Sequence, residues 1–245
     1  MMKKTILLLV LFALTQTVFG QEKKSVLLEK ALQQLNLKES QINLNLFTEK
    51  ILPNNKAQSI LLIPKYTTNE QDEYGNYFLV MDAIVLVVDN ASGKILYQNI
   101  EPQAWVSDAM ILESLVIDTG LYILADQKRA FGVRVSTHNM SGPNPFALEE
   151  LNLYLVDNKK LNKITDNIIV YRNSGDWDTR CNGKFSTEVT SIEVDNKNKN
   201  NGFNNLKLKT SIKTEINTLI EGDCKTKIVD SKENVLLKYN GKEYK

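Results

Sequence analysis

The feature that most constrains the fold is the segment from Tyr77 to Val88, which is almost unbroken apolar sequence. Turn-forming residues bound it on both sides, Gly75-Asn76 before it and Asp89-Asn90 after it. A short apolar run between turn signals is typical of a strand that is buried on both of its faces. The segment therefore predicts a central strand in a sheet that is covered on both sides.

Strand patterns continue along the rest of the chain. Residues 131–136 and 151–155 alternate between apolar and polar or small side chains, which is typical of half-buried strands. Asp-Asn pairs at 89–90, 157–158 and 195–196 follow apolar strands without a fixed period, so they indicate hairpins and not a repeat array. We predict a mainly β fold of antiparallel hairpins, arranged as a sandwich or a partial propeller-like meander.

One short helix is predicted at the N-terminal side of this β region. Val26, Leu28, Leu32 and Leu35 lie near helical spacing, and Ser25 is a candidate N-cap. The predicted organisation is a signal peptide over 1–20, a helical segment over 21–58 and an all-β domain over 59–245. Polar stretches at 67–76 and 196–205 are predicted to be loops, the second of them solvated.

The first 20 residues have the three parts of a secretory signal peptide. A basic start at 1–4 precedes an apolar run at 6–14, and a small residue, Gly20, precedes Gln21. The apolar run is shorter than the roughly 20 residues of a membrane span. We expect cleavage after Gly20, the alternative being an uncleaved anchor, and no lipid anchor, since no cysteine lies near the cut. No later segment is apolar for long enough to cross a bilayer, so a soluble mature chain is expected.

Charge argues against nucleic acid as a partner. The chain has 30 basic and 29 acidic residues, and removal of Lys3 and Lys4 with the signal leaves a net charge of −1. A balanced charge gives no electrostatic footprint for nucleic acid or for anionic membranes. Oligomeric state is left open by the sequence.

The two cysteines, Cys181 and Cys224, are predicted to form a disulfide. In an exported protein two cysteines usually pair, and the 42 residues between them close a loop worth roughly 4 kcal/mol in the chain-entropy model. The alternatives are a lone catalytic thiol or half of a metal site.

No motif for catalysis, a metal or a cofactor stands out. His138 is the only histidine and lies in a segment of loop composition, and neither a nucleophile elbow nor a glycine-rich phosphate loop is present. The nearest approach to a calcium loop is Asp176-Trp177-Asp178, and it is incomplete. We therefore predict no cofactor and no metal.

Five residues are candidates for interaction with a ligand: Trp105, Asp108, Asp176, Trp177 and Asp178. Paired carboxylates can act as acid and base in glycoside cleavage, and a tryptophan beside them can stack on a sugar. The same residues also suit structural roles, in which the aspartates cap turns and the tryptophan covers the core.

Several segments resemble a family of uncharacterised exported proteins of Gram-negative bacteria. The resemblance covers residues 59–245, and the signal peptide resembles those of Bacteroidota. Its most distinctive part is the Gly-Asp-Trp-Asp…Cys sequence within 171–185; the shorter parts are 107–109, 129–134, 144–146 and 237–244. The resemblance implies a periplasmic or secreted location and supports the pairing of the two cysteines. It carries no catalytic residue over to this chain.

The sequence thus favours an exported, non-catalytic protein that binds a glycan or a protein of the cell envelope. The alternative is a carbohydrate-active hydrolase that uses paired carboxylates near Trp177. A weaker third hypothesis is an inhibitor of a host or competitor enzyme.

The predicted disulfide can be tested by non-reducing mass spectrometry. We expect Cys181 and Cys224 to resist alkylation until the protein is reduced. Without reduction, the two peptides that contain them are expected to appear as one linked species with their combined mass. Alkylation of either residue without reduction would contradict the pairing.

Overall fold

The structure, a computed structural model, describes residues 25–245, so the predicted signal peptide lies outside the described residues. These residues form one α-helix, a short 3-10 helix and two antiparallel sheets. The first sheet has the order β1-β2-β3-β4, and its strands are Thr48–Leu52, Asn55–Gln71, Tyr77–Asp89 and Ile95–Ser107. The second sheet has the order β12-β11-β10-β9-β7-β6-β5, with β8 paired to β7 beside this path. Its strands, from β5 to β12, are Ile111–Ala125, Lys128–His138, Phe146–Asp157, Lys160–Lys163, Ile168–Trp177, Gly183–Asn200, Phe203–Ile220 and Asp223–Leu237.

Strand β3 confirms the prediction of a central strand buried on both faces. All residues from Val80 to Val88 are buried. Side chains at 81, 83, 85 and 87 contribute to the core between the two sheets, whereas those at 84, 86 and 88 pack under the helix. The run is apolar at almost every position because successive side chains of a strand point to opposite faces, and here both faces are covered.

Helix α1, Val26–Leu35, confirms the predicted N-terminal helix, and it covers the outer face of the first sheet. The Ser25 hydroxyl caps its first turn by accepting a hydrogen bond from the amide of Leu28 at 3.0 Å. Asn36 ends it in the left-handed conformation, with φ of 54°. Leu28, Ala31 and Leu32 form the buried stripe that contacts the sheet.

The second sheet has apolar side chains on both faces of its central strands. Phe131, Val133 and Tyr154 face the first sheet. Leu151, Leu153 and Leu155 face a second core, which the far ends of β10 and β11 and the C-terminal segment complete. The Tyr244 hydroxyl closes this core by donating a hydrogen bond to the carbonyl of Asn204 at 2.7 Å. Two packed sheets correspond to the sandwich alternative of the predicted fold.

The strands extend further into polar sequence than predicted. Strand β2 begins at Asn55, ahead of the predicted domain start at 59, and ends at Gln71 inside the predicted loop 67–76. The predicted loop 196–205 is largely paired between β10 and β11, and Asn204 and Asn205 are buried. Backbone hydrogen bonds of a ladder do not depend on side-chain polarity, so the apolar pattern ends before the strand does.

The last three strands leave the two cores and form a long ribbon. Within β11 no residue beyond Leu206 is buried, and every residue of β12 before Leu237 is exposed. We call residues 183–190, 211–220 and 223–232 of these strands the arm. Among the described residues, no helix is long and apolar enough to cross a membrane.

Gly132 permits the close packing of β5, β6 and β7, which gives a stability prediction. A Cβ atom at this position would lie 2.5 Å from Cδ1 of the fully buried Leu151 and 3.1 Å from Cβ of Asp118. We expect Gly132→Ala to lower the free energy of unfolding by about 1–3 kcal/mol, because overpacking forces side chains away from their preferred rotamers. Urea denaturation measures the change.

The matched control is Gly142→Ala. A Cβ atom at Gly142 meets nothing within 4 Å, so the same change of residue type is expected to leave stability nearly unaltered. Equal effects of the two substitutions would contradict the packing argument.

Candidate functional site

The structure separates the five candidate interaction residues into three places. Trp105, on β4, is only 5 % exposed and belongs to the core between the sheets. Asp108 lies in the turn between β4 and β5. Asp176, Trp177 and Asp178 lie at and just after the end of β9. Trp105 therefore stabilises the core and does not present a ring at the surface.

Asp178 organises the turn that leads into β10. Its carboxylate accepts hydrogen bonds from the amides of Arg180 and Cys181, at 2.9 and 2.8 Å, and from the side chain of Asn182 at 2.8 Å. These bonds lower the pKa of Asp178 to about 2, because they favour the charged form. A general acid needs a raised pKa, so Asp178 is suited to holding the turn and not to protonating a leaving group.

Trp177 and Asp176 hold the loop between β6 and β7. The Trp177 indole donates a hydrogen bond to the carbonyl of Gly142 at 2.7 Å, and its ring packs against Phe185 with the ring centroids 5.9 Å apart. Asp176 accepts a hydrogen bond from the side chain of Asn144 at 3.1 Å. Asp178 thus holds a turn, as the structural alternative for this segment expects, whereas Trp177 contacts Phe185 and the β6–β7 loop and belongs to neither core.

The disulfide lies next to this turn. Cys181 and Cys224 are joined, with their Cα atoms 5.7 Å apart, and Asn182 accepts a hydrogen bond from the amide of Leu219 at 2.9 Å. The pairing ties the turn after β9 to the start of β12, at the tip of the arm. Neither cysteine is free, and the described residues hold no group of three or more His, Cys, Asp or Glu placed to bind a metal ion.

A half-buried ionic cluster lies on the face of β5, β6 and β7 that points away from the first sheet. Arg134 binds Asp118 at 2.7 Å and Glu149 at 2.6 Å, and the Tyr122 hydroxyl donates to Asp118 at 2.9 Å. Burial, with the Asp118 charge beside it, raises the pKa of Tyr122 to about 12. Each charge has a close partner of opposite sign, so the cluster cross-links three strands.

A groove with exposed aromatic side chains lies where the β2–β3 hairpin and the β4–β5 turn face each other. Its volume is about 910 Å³. Tyr77 and Phe78, at the start of β3, are 57 % and 44 % exposed, and Ile111 adds a partly exposed apolar side chain from β5. We call this surface, with Leu79 and Leu112 at its base, the aromatic groove. Exposed aromatic rings in a concave surface are typical of ligand-binding sites.

Two aspartates fix the walls of the aromatic groove. Asp72 accepts hydrogen bonds from the amides of Tyr74 and Asn76, at 2.9 and 2.8 Å, and so closes the hairpin turn in which Gly75 has φ of 87°. Asp108 accepts a hydrogen bond from the amide of Met110 at 2.8 Å and shapes the opposite wall. Both turns are held by a side chain that bonds nearby backbone, the usual role of aspartate at such corners.

The lining of the aromatic groove is acidic. Glu70, Asp72 and Asp108 contribute carboxylates, and no lysine or arginine is among its lining residues. Hydrogen bonds from Asn76 lower the pKa of Asp72, which therefore stays ionised near neutral pH. The surface can accept hydrogen bonds and attract positive charge beside its aromatic rings.

Sequence reasoning identified Asp108 but missed Tyr77 and Phe78. Both aromatic residues belong to the apolar run that predicts the buried strand, and nothing in that run shows where burial begins. The available signal was the polar sequence on the paired strand: Gln71 and Glu70 lie opposite Tyr77 and Phe78 in the ladder. When an apolar residue lies opposite the polar end of a neighbouring strand, that pairing indicates that the apolar residue faces solvent.

Comparison of the chain with protein-family models, with curated proteins and with solved structures finds no match.

The depressed pKa of Asp178 gives a pH-dependent stability prediction. A carboxylate whose pKa is lower in the folded protein stabilises it fully above about pH 4, its ordinary range, and loses that effect as pH falls through about 2. We expect Asp178→Ala to destabilise the protein at neutral pH and to match the parent protein more closely near pH 2. Unfolding by urea at several pH values measures this.

Asp176→Ala is the matched control, because the Asp176 carboxylate accepts a bond from a side chain and none from the turn backbone. We expect a smaller loss at neutral pH than for Asp178→Ala. A loss for Asp178→Ala that is the same at every pH would argue against the carboxylate as the source.

Proposed function

We propose that this protein is an exported, non-catalytic binding protein of the cell envelope, and that it binds its ligand in the aromatic groove. The observation that carries the proposal is one concave surface lined by two exposed aromatic residues, Tyr77 and Phe78, and by carboxylates. The signal-like N-terminal sequence and the disulfide support export, because disulfides persist in oxidising compartments.

Of the two ligands considered from the sequence, a glycan or a protein, the aromatic groove favours a glycan. The apolar faces of sugar rings can stack on aromatic side chains. Carboxylates accept hydrogen bonds from sugar hydroxyls, and such charge-assisted bonds are stronger than neutral ones. The acidic lining disfavours glycans that carry carboxylates, so the ligand is a neutral or amino-sugar glycan.

A binding role fits the aspartates of the groove better than a catalytic one. Asp72 and Asp108 each use a carboxylate oxygen to hold a turn, and the pKa of Asp72 is lowered. Glycoside cleavage needs one carboxylic acid whose pKa is raised. In the segment around Trp177, hydrogen bonds of the turn lower the pKa of Asp178, so this carboxylate does not suit the role of the acid.

Binding to glycan tests the proposal. Sedimentation of the protein with insoluble chitin, a neutral polymer of N-acetylglucosamine, and calorimetric titration with soluble N-acetylglucosamine oligomers provide the measurements. We expect Tyr77→Ala and Phe78→Ala each to weaken binding by about tenfold, because loss of an aromatic contact typically costs more than 1 kcal/mol.

Tyr74→Ala is the matched control. Tyr74 lies in the same hairpin and is 82 % exposed, but it does not line the groove. Binding that survives Tyr77→Ala and Phe78→Ala unchanged, or binding to acidic but not to neutral glycans, would overturn the site. If the protein bound an envelope protein and no glycan, the aromatic groove would remain the proposed site but the proposed ligand would be wrong.

A further inference from the structure

The last strand of the second sheet has an unusually long free edge. Strand β12 pairs with β11 over its full length, from Asp223 opposite Ile220 to Leu237 opposite Leu206. Its other edge pairs with no strand in residues 25–245. Edge strands in stable monomers are usually short, bulged or covered, because a free edge is a template for another strand.

The side chains on β12 are exposed on both faces. Four of its apolar side chains are between 43 % and 53 % exposed: Ile228, Val229, Val235 and Leu236. The arm has no buried residue, so it is held by one disulfide, by the ladders on each side of β11 and by the ladder that joins β10 to β9. An added strand on the free edge would bury apolar area and satisfy the unpaired backbone groups.

The charges along β12 favour a second copy of this strand, over a strand of another protein, as the occupant of the free edge. Lysine on an edge usually discourages pairing, and β12 carries Lys225, Lys227 and Lys232. It also carries Glu233, which lies opposite Lys225 when the strand meets itself in the antiparallel direction about Val229, while Lys227 and Lys232 then face Ser231 and Thr226 of the partner subunit.

We propose that β12 pairs with β12 of a second copy of this chain, antiparallel and edge to edge, about a two-fold axis at Val229. This register places Lys225 opposite Glu233 of the partner subunit, and by symmetry the same pair forms twice. Val229 then faces its own counterpart at the axis. Opposite charges and apolar pairs directly across a ladder stabilise it, and like charges destabilise it.

A two-fold axis at a residue near Val229 gives a less favourable set of cross-strand pairs. An axis at Ile228 places Asp223 opposite Glu233 of the partner subunit, and an axis at Asp230 places that aspartate opposite itself. An axis at Ser231 pairs Asp230 with Lys232 of the partner subunit, but it sets Val229 against a glutamate. The axis at Val229 also sets Ile228 opposite Asp230 of the partner subunit, but among these four it alone combines paired charges with an apolar pair at the axis itself.

Charge reversal tests the pairing, because the two charged residues do not meet within one chain. Lys225 lies opposite Thr218, and Glu233 lies opposite Thr210, on β11 of the same chain. We expect Lys225→Glu and Glu233→Lys each to raise the dissociation constant of the dimer by about tenfold, since each affects two symmetric contacts. The double reversal is expected to restore it in part, because Lys225 also binds Asp223 of its own chain at 3.1 Å and the new carboxylate lies beside that aspartate.

Sedimentation velocity over a range of protein concentrations measures the dissociation constant. The control is Lys56→Glu, the same change of charge at an exposed residue of the first sheet. A protein that stays monomeric at all concentrations would overturn the proposal. A dimer whose double variant is as weak as the single ones would also overturn it.

The register has an independent test in the distance between spin labels at Asn234→Cys, an exposed position on β12. With the axis at Val229 the two labelled residues are ten positions apart along the ladder, or roughly 34 Å at about 3.4 Å per residue. A distance near 20 Å, which corresponds to the axis at Ser231, would overturn the pairing about Val229.

Discussion

The structure depends on burial of both faces of strand β3. Its inner side chains pack against the second sheet and its outer ones against helix α1, so one strand joins the helix and both sheets into a single packed body. Burying a large aliphatic side chain contributes about 1.5–3 kcal/mol, which makes this nine-residue stretch a principal source of stability. The helix is too short to be stable in isolation and relies on this contact.

The elements that the sequence predicts well are those whose signal is local. The run at β3 and the cap at Ser25 each carry their own pattern, and the structure contains both. Strand ends were missed where the side chains are polar, as at 196–205, because hydrogen bonds of the ladder and a few buried amides hold them. Asn204, for example, donates to the carbonyl of Ile123 on a strand distant in sequence.

The candidate site was harder to predict because it depends on how far each strand extends beyond the end of its neighbours. Trp105 and Tyr77 are both aromatic residues in apolar surroundings, yet Trp105 lies beneath the opposing sheet and Tyr77 extends beyond it. Sequence shows the type of side chain but not the offset between neighbouring strands, since that offset depends on the register of the pairing and on bulges within it. The charged turn residue Asp108 was easier to identify because turn chemistry is local.

The disulfide at the tip of the arm determines what a proteolytic cut between β10 and β11 would release. The turn at Asn201-Gly202, between β10 and β11, is exposed and lies inside the covalent loop that Cys181 and Cys224 close. A cut at this turn would leave two fragments, residues up to 201 and from 202 onward, that remain linked through the bridge. The cut chain would keep the C-terminal segment, and with it Tyr239 and Tyr244 in the second core, so nicking in an extracellular environment need not release or unfold either part.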